Sequence, residues 1–279
     1  MLKQKSLYFA ILLLTAACTG ATRQEQATAP DSILTTKKVG TVLVSNSDMR
    51  TTLYDNRVDE LFDDFLFSYL QDDALQQQRT DFPVLQQMQD GAMRSVLEQE
   101  FRDSLFFMRG EYTTNLFTSE QDKSLNEDTA LDTASLEKID LAAQTVTSYN
   151  FVRVEGKWRL LSLVNNSFAD SDMCSFLEFY RRFVTDVEFQ KKSLARSIHI
   201  SVMDPDDDQQ TVDGFITRDQ WPTVSSDFPC GVITNIRYGQ VFTGCNTILM
   251  EKVSMGDGMA ETFTFRRNRQ RWELVGYEN

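Results

Sequence analysis

Glu261 to Tyr277 reads ETFTFRRNRQRWELVGY, and Thr147 to Leu163 reads TSYNFVRVEGKWRLLSL. Laid one on the other, Tyr149 falls on Phe263, Phe151 on Phe265, Arg153 on Arg267, Trp158 on Trp272 and Leu160 on Leu274, each pair 114 residues apart. Each stretch alternates apolar and polar residues around a polar turn, which is the pattern of a β-hairpin. A motif written twice at one spacing marks an internal repeat, so the chain is expected to be one unit written twice.

The same spacing holds at the front of each unit. Phe62, Phe65, Leu66 and Tyr69 fall at i, i+3, i+4 and i+7, one apolar stripe of an amphipathic helix. Shifted by 114 these positions hold Phe176, Phe179, Tyr180 and Phe183, while Asp72 meets Asp186, Leu75 meets Phe189 and Gln76 meets Gln190. The units expected are 58–166 and 172–279, each of ordinary domain size. The polar connector Asn165 to Ser171 separates them, with Asp172 as an N-cap for the second helix. Ile198, Ile200 and Val202 alternate with His199 and Ser201 as in a strand; Phe82-Pro83-Val84 matches them if a two-residue gap is allowed. Gly231 to Thr243 reads as a further hairpin, turning within Asn235 to Gly239. A leading helix followed by mostly antiparallel strands predicts an α+β unit with the helix on one sheet face.

An aromatic-striped helix, then strands, then a hairpin ending in GKWRLLSL or RQRWELVGY, resembles the nuclear transport factor 2-like (NTF2-like, cystatin-like α+β) superfamily. The resemblance implies two tandem units, each a helix packed on a curved antiparallel sheet, arranged as an intramolecular pseudo-dimer. In that superfamily the sheet wraps the helix into a cone whose open end is a pocket, and its enzymes place carboxylate or histidine residues inside. No motif here maps onto those residues, so no catalytic residue is assigned.

At the N-terminus Lys3 and Lys5 precede the apolar run Leu7 to Leu14, which ends in Thr15-Ala16-Ala17-Cys18. That is the organisation of a secretory signal, and the run is too short to span a bilayer. The cysteine directly after Ala17 resembles a bacterial lipobox, which implies removal of residues 1–17 and lipidation of Cys18. Residues 18–57, rich in Thr, Ala, Gln and Ser, are expected to form a flexible tether. A tandem unit behind a lipobox looks like an uncharacterised family of envelope lipoproteins from Bacteroides-type bacteria. The resemblance implies a membrane contact through the lipid anchor. Residues Thr19 to Arg23 lack the acidic cluster of surface-exported lipoproteins, which by the same resemblance points to an outer-membrane protein facing the periplasm.

Formal charge is −13, with 9 basic against 20 acidic residues over 58–166 and 12 against 16 over 172–279. Such a surface is a poor partner for nucleic acid, whose binding rests on clustered Lys and Arg. The basic run Arg266 to Arg271 reads as a solvated turn. Subtracting 114 puts Cys230 on Leu116 and Cys245 on Leu131, a cysteine pair in place of a leucine pair. Across the expected hairpin the two cysteines would face each other, so a disulfide is expected in an oxidising periplasm, leaving Cys174 as a buried free thiol. Zinc is not expected, since there is no CxxC and no second histidine.

His199, the lone histidine, lies on the polar phase of its strand and reads as solvent-exposed or structurally satisfied rather than as a general base. Asp204, Asp206 and Asp208 have the alternate spacing of a calcium loop, but Gln209 replaces its Gly and Phe215 its bidentate Glu, so they read as an acidic turn. No nucleotide, hydrolase or zincin motif occurs, and no cofactor or metal is expected. Simple hairpin pairing sets Arg153 opposite Trp158 and Arg267 opposite Trp272, on the face of Phe151 and Phe265. These six residues are the candidate cone-face or pocket residues. Because both repeats have the Arg–Trp pair, it reads first as a structural cross-strand pair capping the core, and the functional alternative is a cation at the cone mouth holding an anionic or sugar ligand. Two functions follow. The preferred one is a non-catalytic ligand-binding or scaffolding module of a cell-envelope lipoprotein, with a small molecule, a glycan or an envelope protein as its partner. The alternative is a hydrolase, isomerase or lyase using a carboxylate, Asp72 or Asp186, inside one cone.

Overall fold

The stripe Phe62, Phe65, Leu66 and Tyr69 forms the buried face of helix α1 (Phe62–Gln71). Its chain direction breaks at Asp72, whose extended backbone ends one helix and whose side chain starts the next. Asp72 Oδ1 accepts from Ala74 N at 2.9 Å and Leu75 N at 3.2 Å, capping α2 (Asp73–Gln78), and Gln76 Nε2 donates to Tyr69 O at 2.8 Å. The same corner recurs between α4 (Cys174–Thr185) and α5 (Val187–Lys192). There Asp186 accepts from Phe189 N at 2.9 Å and Gln190 Nε2 donates to Phe183 O at 3.2 Å. This computed structural model describes residues 61–104, 112–204, 207–224, 227–256 and 258–279. The expected signal (1–17), the lipidation site Cys18 and the tether (18–57) lie outside the described residues.

The fold is α+β, with two six-stranded sheets. After α2 come β1 (Thr80–Gln87), β2 (Met93–Val96), α3 (Glu98–Ser104), β3 (Tyr112–Phe117), a 3-10 helix Glu120–Glu127, β4 (Thr133–Asp140), β5 (Thr145–Val154) and β6 (Lys157–Ser167). After α5 come β7 (Leu194–Asp204), β8 (Asp207–Thr217), a 3-10 turn Trp221–Thr223, β9 (Val232–Arg237), β10 (Thr247–Ser254), β11 (Ala260–Asn268) and β12 (Arg271–Glu278). One sheet has the order β2-β1-β6-β5-β4-β9, the other β8-β7-β12-β11-β10-β3. Each therefore takes five strands from one half of the chain and its last strand from the other half. The expected connector is not a loop: β6 runs through Ser167, a 3-10 turn Phe168–Asp170 buries Phe168, and Met173 rather than Asp172 sits at the α4 N-cap.

Strand registers explain this exchange. In the hairpins, Phe151 pairs Leu160 and Arg153 pairs Trp158, as Phe265 pairs Leu274 and Arg267 pairs Trp272, with a bulge at the same place in both. Leu85 lies opposite Ser162 and His199 opposite Gly276, so β1 and β7 follow the 114 offset directly and need no gap. The β1–β2 hairpin is shorter than β7–β8, with Val84 opposite Val96 but Ile198 opposite Ile216, and from there the offset is 120. It stays 120 through the exchanged strands, where Leu116 faces Met250 and Ile236 faces Leu136. β3 and β9 meet at Thr114 and Thr234, each of whose hydroxyls accepts from the other's backbone N–H at 2.9 Å. Asn115 Oδ1 accepts from Ile236 N at 2.6 Å, and Asn235 Oδ1 from Leu116 N at 2.9 Å.

Two expectations fall with that register. Gly231 to Thr243 is not a hairpin, because β9 pairs β4 while β10 belongs to the other sheet. The Cys230–Cys245 disulfide is absent: both cysteines are free, Cys230 precedes a strand of one sheet and Cys245 a strand of the other. With an offset of 120, Leu116 corresponds to Ile236 rather than Cys230. Cys174 is also free but only half-buried.

Each helix corner packs on its own hairpin. Phe62 meets Trp158 edge-on at 4.9 Å and Phe151 at 5.4 Å. Phe176 meets Trp272 at 5.3 Å and Phe265 at 5.5 Å, again edge-on. Such pairs contribute about 0.5–1.5 kcal/mol beyond their area burial.

Candidate functional site

Aromatic packing fills the space between each helix corner and its hairpin. Trp158, Phe151, Phe265 and Trp272 are core residues, and the two arginines opposite the tryptophans turn toward neighbouring loops. Arg153 Nη1 donates to Thr129 O at 2.7 Å, and Arg267 Nε to Asn246 Oδ1 at 3.0 Å, with the Arg267 guanidinium 5.5 Å from the Trp272 ring. Both backbones also hold those loops, Arg153 N donating to Asp132 O and Arg267 N to Asn246 O, each at 2.7 Å. None of the six residues lines either of the two clefts described next.

The larger cleft, ≈ 600 Å³, lies at the start of β7 and β12 and is lined by Lys192, Arg196, Arg218, Arg271 and Glu273. Lys192 ends α5, and Arg196 and Arg271 are exposed. Arg218 is fixed by Nε and Nη2 hydrogen bonds to Leu194 O, the first at 3.0 Å, and Arg271 Nη2 reaches Lys192 O at 3.4 Å. Among the described residues none of these four cations forms an ion pair. Four like charges with one carboxylate between them repel one another unless an anion enters. Arg271, expected in a solvated turn, lines this cleft, and Lys192, Arg196 and Arg218 carry no motif that marks them in the sequence. A signal was present: the register-equivalent positions in the first half are Gln78, Phe82, Glu98 and Lys157, so the cationic set belongs to the second half alone.

The smaller cleft, ≈ 120 Å³, opens where the exchanged strands meet, between Leu66 and Leu70 of α1, Leu136, Ile236, Val253, Glu251 and residues 113–115. On the opposite side of the junction is a buried ion network. Arg237 Nε donates to Glu137 Oε1 at 3.0 Å, Asn235 Nδ2 to Glu137 Oε2 at 2.8 Å, and Arg237 Nη1 to Asp172 Oδ2 at 2.9 Å. Burial pushes the Glu137 carboxyl above its ordinary range against the pull of Arg237. Burial also pushes Asp172 up, but the bonds and charge of Arg237 outweigh it and hold that carboxyl low.

The remaining candidates have structural partners. Asp72 and Asp186 are helix caps, which leaves neither as a base inside a cone. His199 Nε2 lies 3.1 Å from Asp213 Oδ2 on the outer face of the β7–β8 hairpin, edge-on to Phe215 at 5.2 Å. Among the described residues no His, Cys, Asp and Glu cluster could hold a metal, and no helix is long and apolar enough to cross a membrane.

This arrangement has relatives. The profile of a family described as a domain of unknown function, DUF4348, matches residues 42–279. The chain belongs to the DUF4348 family. This DUF4348 chain is similar to the crystal structure of an NTF2-like protein from Bacteroides fragilis NCTC 9343, with 29% identity and a TM-score of 0.71 over 80% of this chain and 96% of that one. The DUF4348 chain thus has the NTF2-like α+β fold to which the striped helix and the closing hairpin pointed. No curated protein matches it.

Proposed function

We propose that this protein is a non-catalytic cell-envelope lipoprotein that binds a small anionic ligand between Lys192, Arg196, Arg218 and Arg271. The observation that carries the reading is the convergence on one open cleft of four cations that form no ion pair among the described residues, in a chain whose net charge is −13. Arg218 and Arg271 are held by backbone carbonyls, so part of the ordering cost of binding is met before the ligand arrives. Guanidinium groups suit carboxylate and phosphate oxygens, which they can grip with two parallel hydrogen bonds. The burial of Phe151, Trp158, Phe265 and Trp272 beneath the helices and the capping roles of Asp72 and Asp186 favour binding over a hydrolase, isomerase or lyase.

Calorimetric titration with inorganic pyrophosphate and with citrate tests the site. Wild type should bind at least one of them, more weakly as salt rises. The double variant Lys192→Glu and Arg196→Glu, altered only at exposed side chains, should lose about tenfold or more, equal to about 1.4 kcal/mol. No binding by wild type, or equal binding by the variant, would sink the reading.

Envelope tethering rests on the n-region, the apolar run and the TAAC sequence ending at Cys18. Cells fed a clickable fatty acid should label wild type and spare Cys18→Ala. Two or three acyl chains would anchor the protein stably where a single chain holds it marginally. Equal labelling of both proteins would remove the anchor from the proposal.

A further inference from the structure

The two sides of the strand junction carry the same glutamate with different company. Glu137 on β4 and Glu251 on β10 are 114 residues apart, and each faces an asparagine of the exchanged strand, Asn235 and Asn115 respectively. Two residues further along that strand the equivalence breaks. Arg237 supplies a guanidinium to Glu137, whereas the matching residue opposite Leu249 is Phe117, which is buried and apolar. Among the described residues Glu251 therefore has no cation and no hydrogen-bond partner. It lines the ≈ 120 Å³ cleft instead.

The space beside Glu251 exists because its neighbours are small. The second half places Tyr180, Ile233 and Met250 where the cleft has Leu66, Thr113 and Leu136. Tyr180 and Met250 are fully buried, and the Tyr180 hydroxyl reaches Pro229 O at 2.8 Å, so the equivalent space there is occupied by side chains. A second carboxylate adds negative charge on the Glu251 side. Asp63 Oδ1 accepts from Tyr238 Oη at 2.7 Å, and the charge of Glu251 acts on the same tyrosine. Asp63 likewise forms no ion pair among the described residues. The cleft is thus an apolar slot with a half-buried carboxylate and no counter-charge. The other half of the same molecule meets that need with an arginine side chain.

We propose that this cleft binds a small organic cation, an alkylguanidinium or alkylammonium. Its charged end pairs with Glu251 and its short apolar body lies against Leu66, Leu70, Leu136 and Val253. A pairing of this kind is shielded from water on the apolar side, where a charge-assisted hydrogen bond is stronger than one in bulk solvent. The volume limits the body: an engineered apolar cavity of about 150 Å³ takes a benzene, so the occupant has about five or six non-hydrogen atoms within the slot. A free amine or guanidine and an arginine or lysine side chain of a partner present the same end group, and the titration below distinguishes the two sources. This site is separate from the anion cleft and does not depend on it.

Titration with n-butylguanidinium, followed by chemical-shift changes in the protein, tests the inference. Wild type should bind it and ignore n-butanol, and Glu251→Gln, which keeps the size and removes the charge, should weaken binding tenfold or more. Thr113→Ile, copying Ile233, should close the slot with Glu251 intact, and Phe117→Arg should supply the missing guanidinium and exclude the ligand. Lys192→Glu should change nothing here, which separates a failure of this site from a failure of the anion cleft. Comparing the free cation with the capped peptide acetyl-Gly-Arg-Gly-amide assigns the slot to a free amine if only the former binds and to a partner side chain if both do. No binding by wild type at millimolar ligand, binding of n-butanol as tight as that of the cation, or unchanged binding by Glu251→Gln overturns the proposal.

Discussion

Replacing Trp158 with alanine should destabilise the protein by about 3–5 kcal/mol. The indole is 0% exposed and sits under α1, edge-on to Phe62 at 4.9 Å. Phe62 in turn packs on Phe151 at 5.4 Å, so the substitution opens a void beside Phe62 that neither phenylalanine can fill without moving a helix or a strand. Trp272→Ala should cost a similar amount in the other sheet, where Phe176 and Phe179 cover the ring and Nε1 donates to Ser175 Oγ at 3.1 Å. Val154→Ala, near the turn of the same hairpin and 48% exposed, should stay within about 0.5 kcal/mol. Denaturant unfolding checks all three. A Trp158→Ala loss no larger than that of Val154→Ala would mean that the indole does not anchor helix to sheet.

That core was legible in the sequence because its code is local. The i, i+3, i+4, i+7 stripe at Phe62 fixes which side of the helix is buried, and the alternation around Arg153 and Trp158 fixes which hairpin residues meet it. The exchange of β3 and β9 was not legible, because alternation says which face of a strand is buried but nothing about which edge it joins. TTNL at Thr113 and ITNI at Ile233 do carry the signal, with Thr114 and Asn115 matching Thr234 and Asn235 at an offset of 120. An offset of 114 on that segment sets Cys230 against Leu116 and suggests a disulfide, whereas both cysteines are free and the strands that follow them belong to different sheets. The basic cleft gathers residues from 192 to 271, which only the parallel pairing of β7 with β12 brings together. Glu251 was invisible for a different reason: what singles it out is the arginine missing beside it, and that comparison requires the register.

Arg237→Met should cost about 3 kcal/mol at neutral pH, the low end of the range for breaking a buried ion pair because the arginine side chain keeps 20% of its surface in water. Glu137, 8% exposed, would lose its only ion-pair partner among the described residues, and Asp172 would lose the guanidinium that holds its carboxyl low. The Arg237 ring contact with Phe242 at 4.7 Å would also go, although methionine replaces part of that packing. The pH dependence has a definite sign. In the variant Glu137 lacks its cation, so its folded pKa rises further above the ordinary value near 4.3; such a group destabilises increasingly as pH climbs from the unfolded value toward the folded one. Asp172 in wild type works the other way, since its depressed folded pKa contributes stability above the unfolded value that is lost as pH falls through the folded one. Both effects make the gap between wild type and Arg237→Met largest near neutrality and smallest in acid. Removing the stranded charge as well, in Glu137→Met with Arg237→Met, should recover much of the loss, because an apolar pair has no ion to desolvate. Urea unfolding of the four proteins at pH 7 and pH 4 measures the cycle. A deficit that is the same at both pH values, or a double variant weaker than the sum of the singles, would mean that Arg237 holds the exchanged strand by packing rather than by charge.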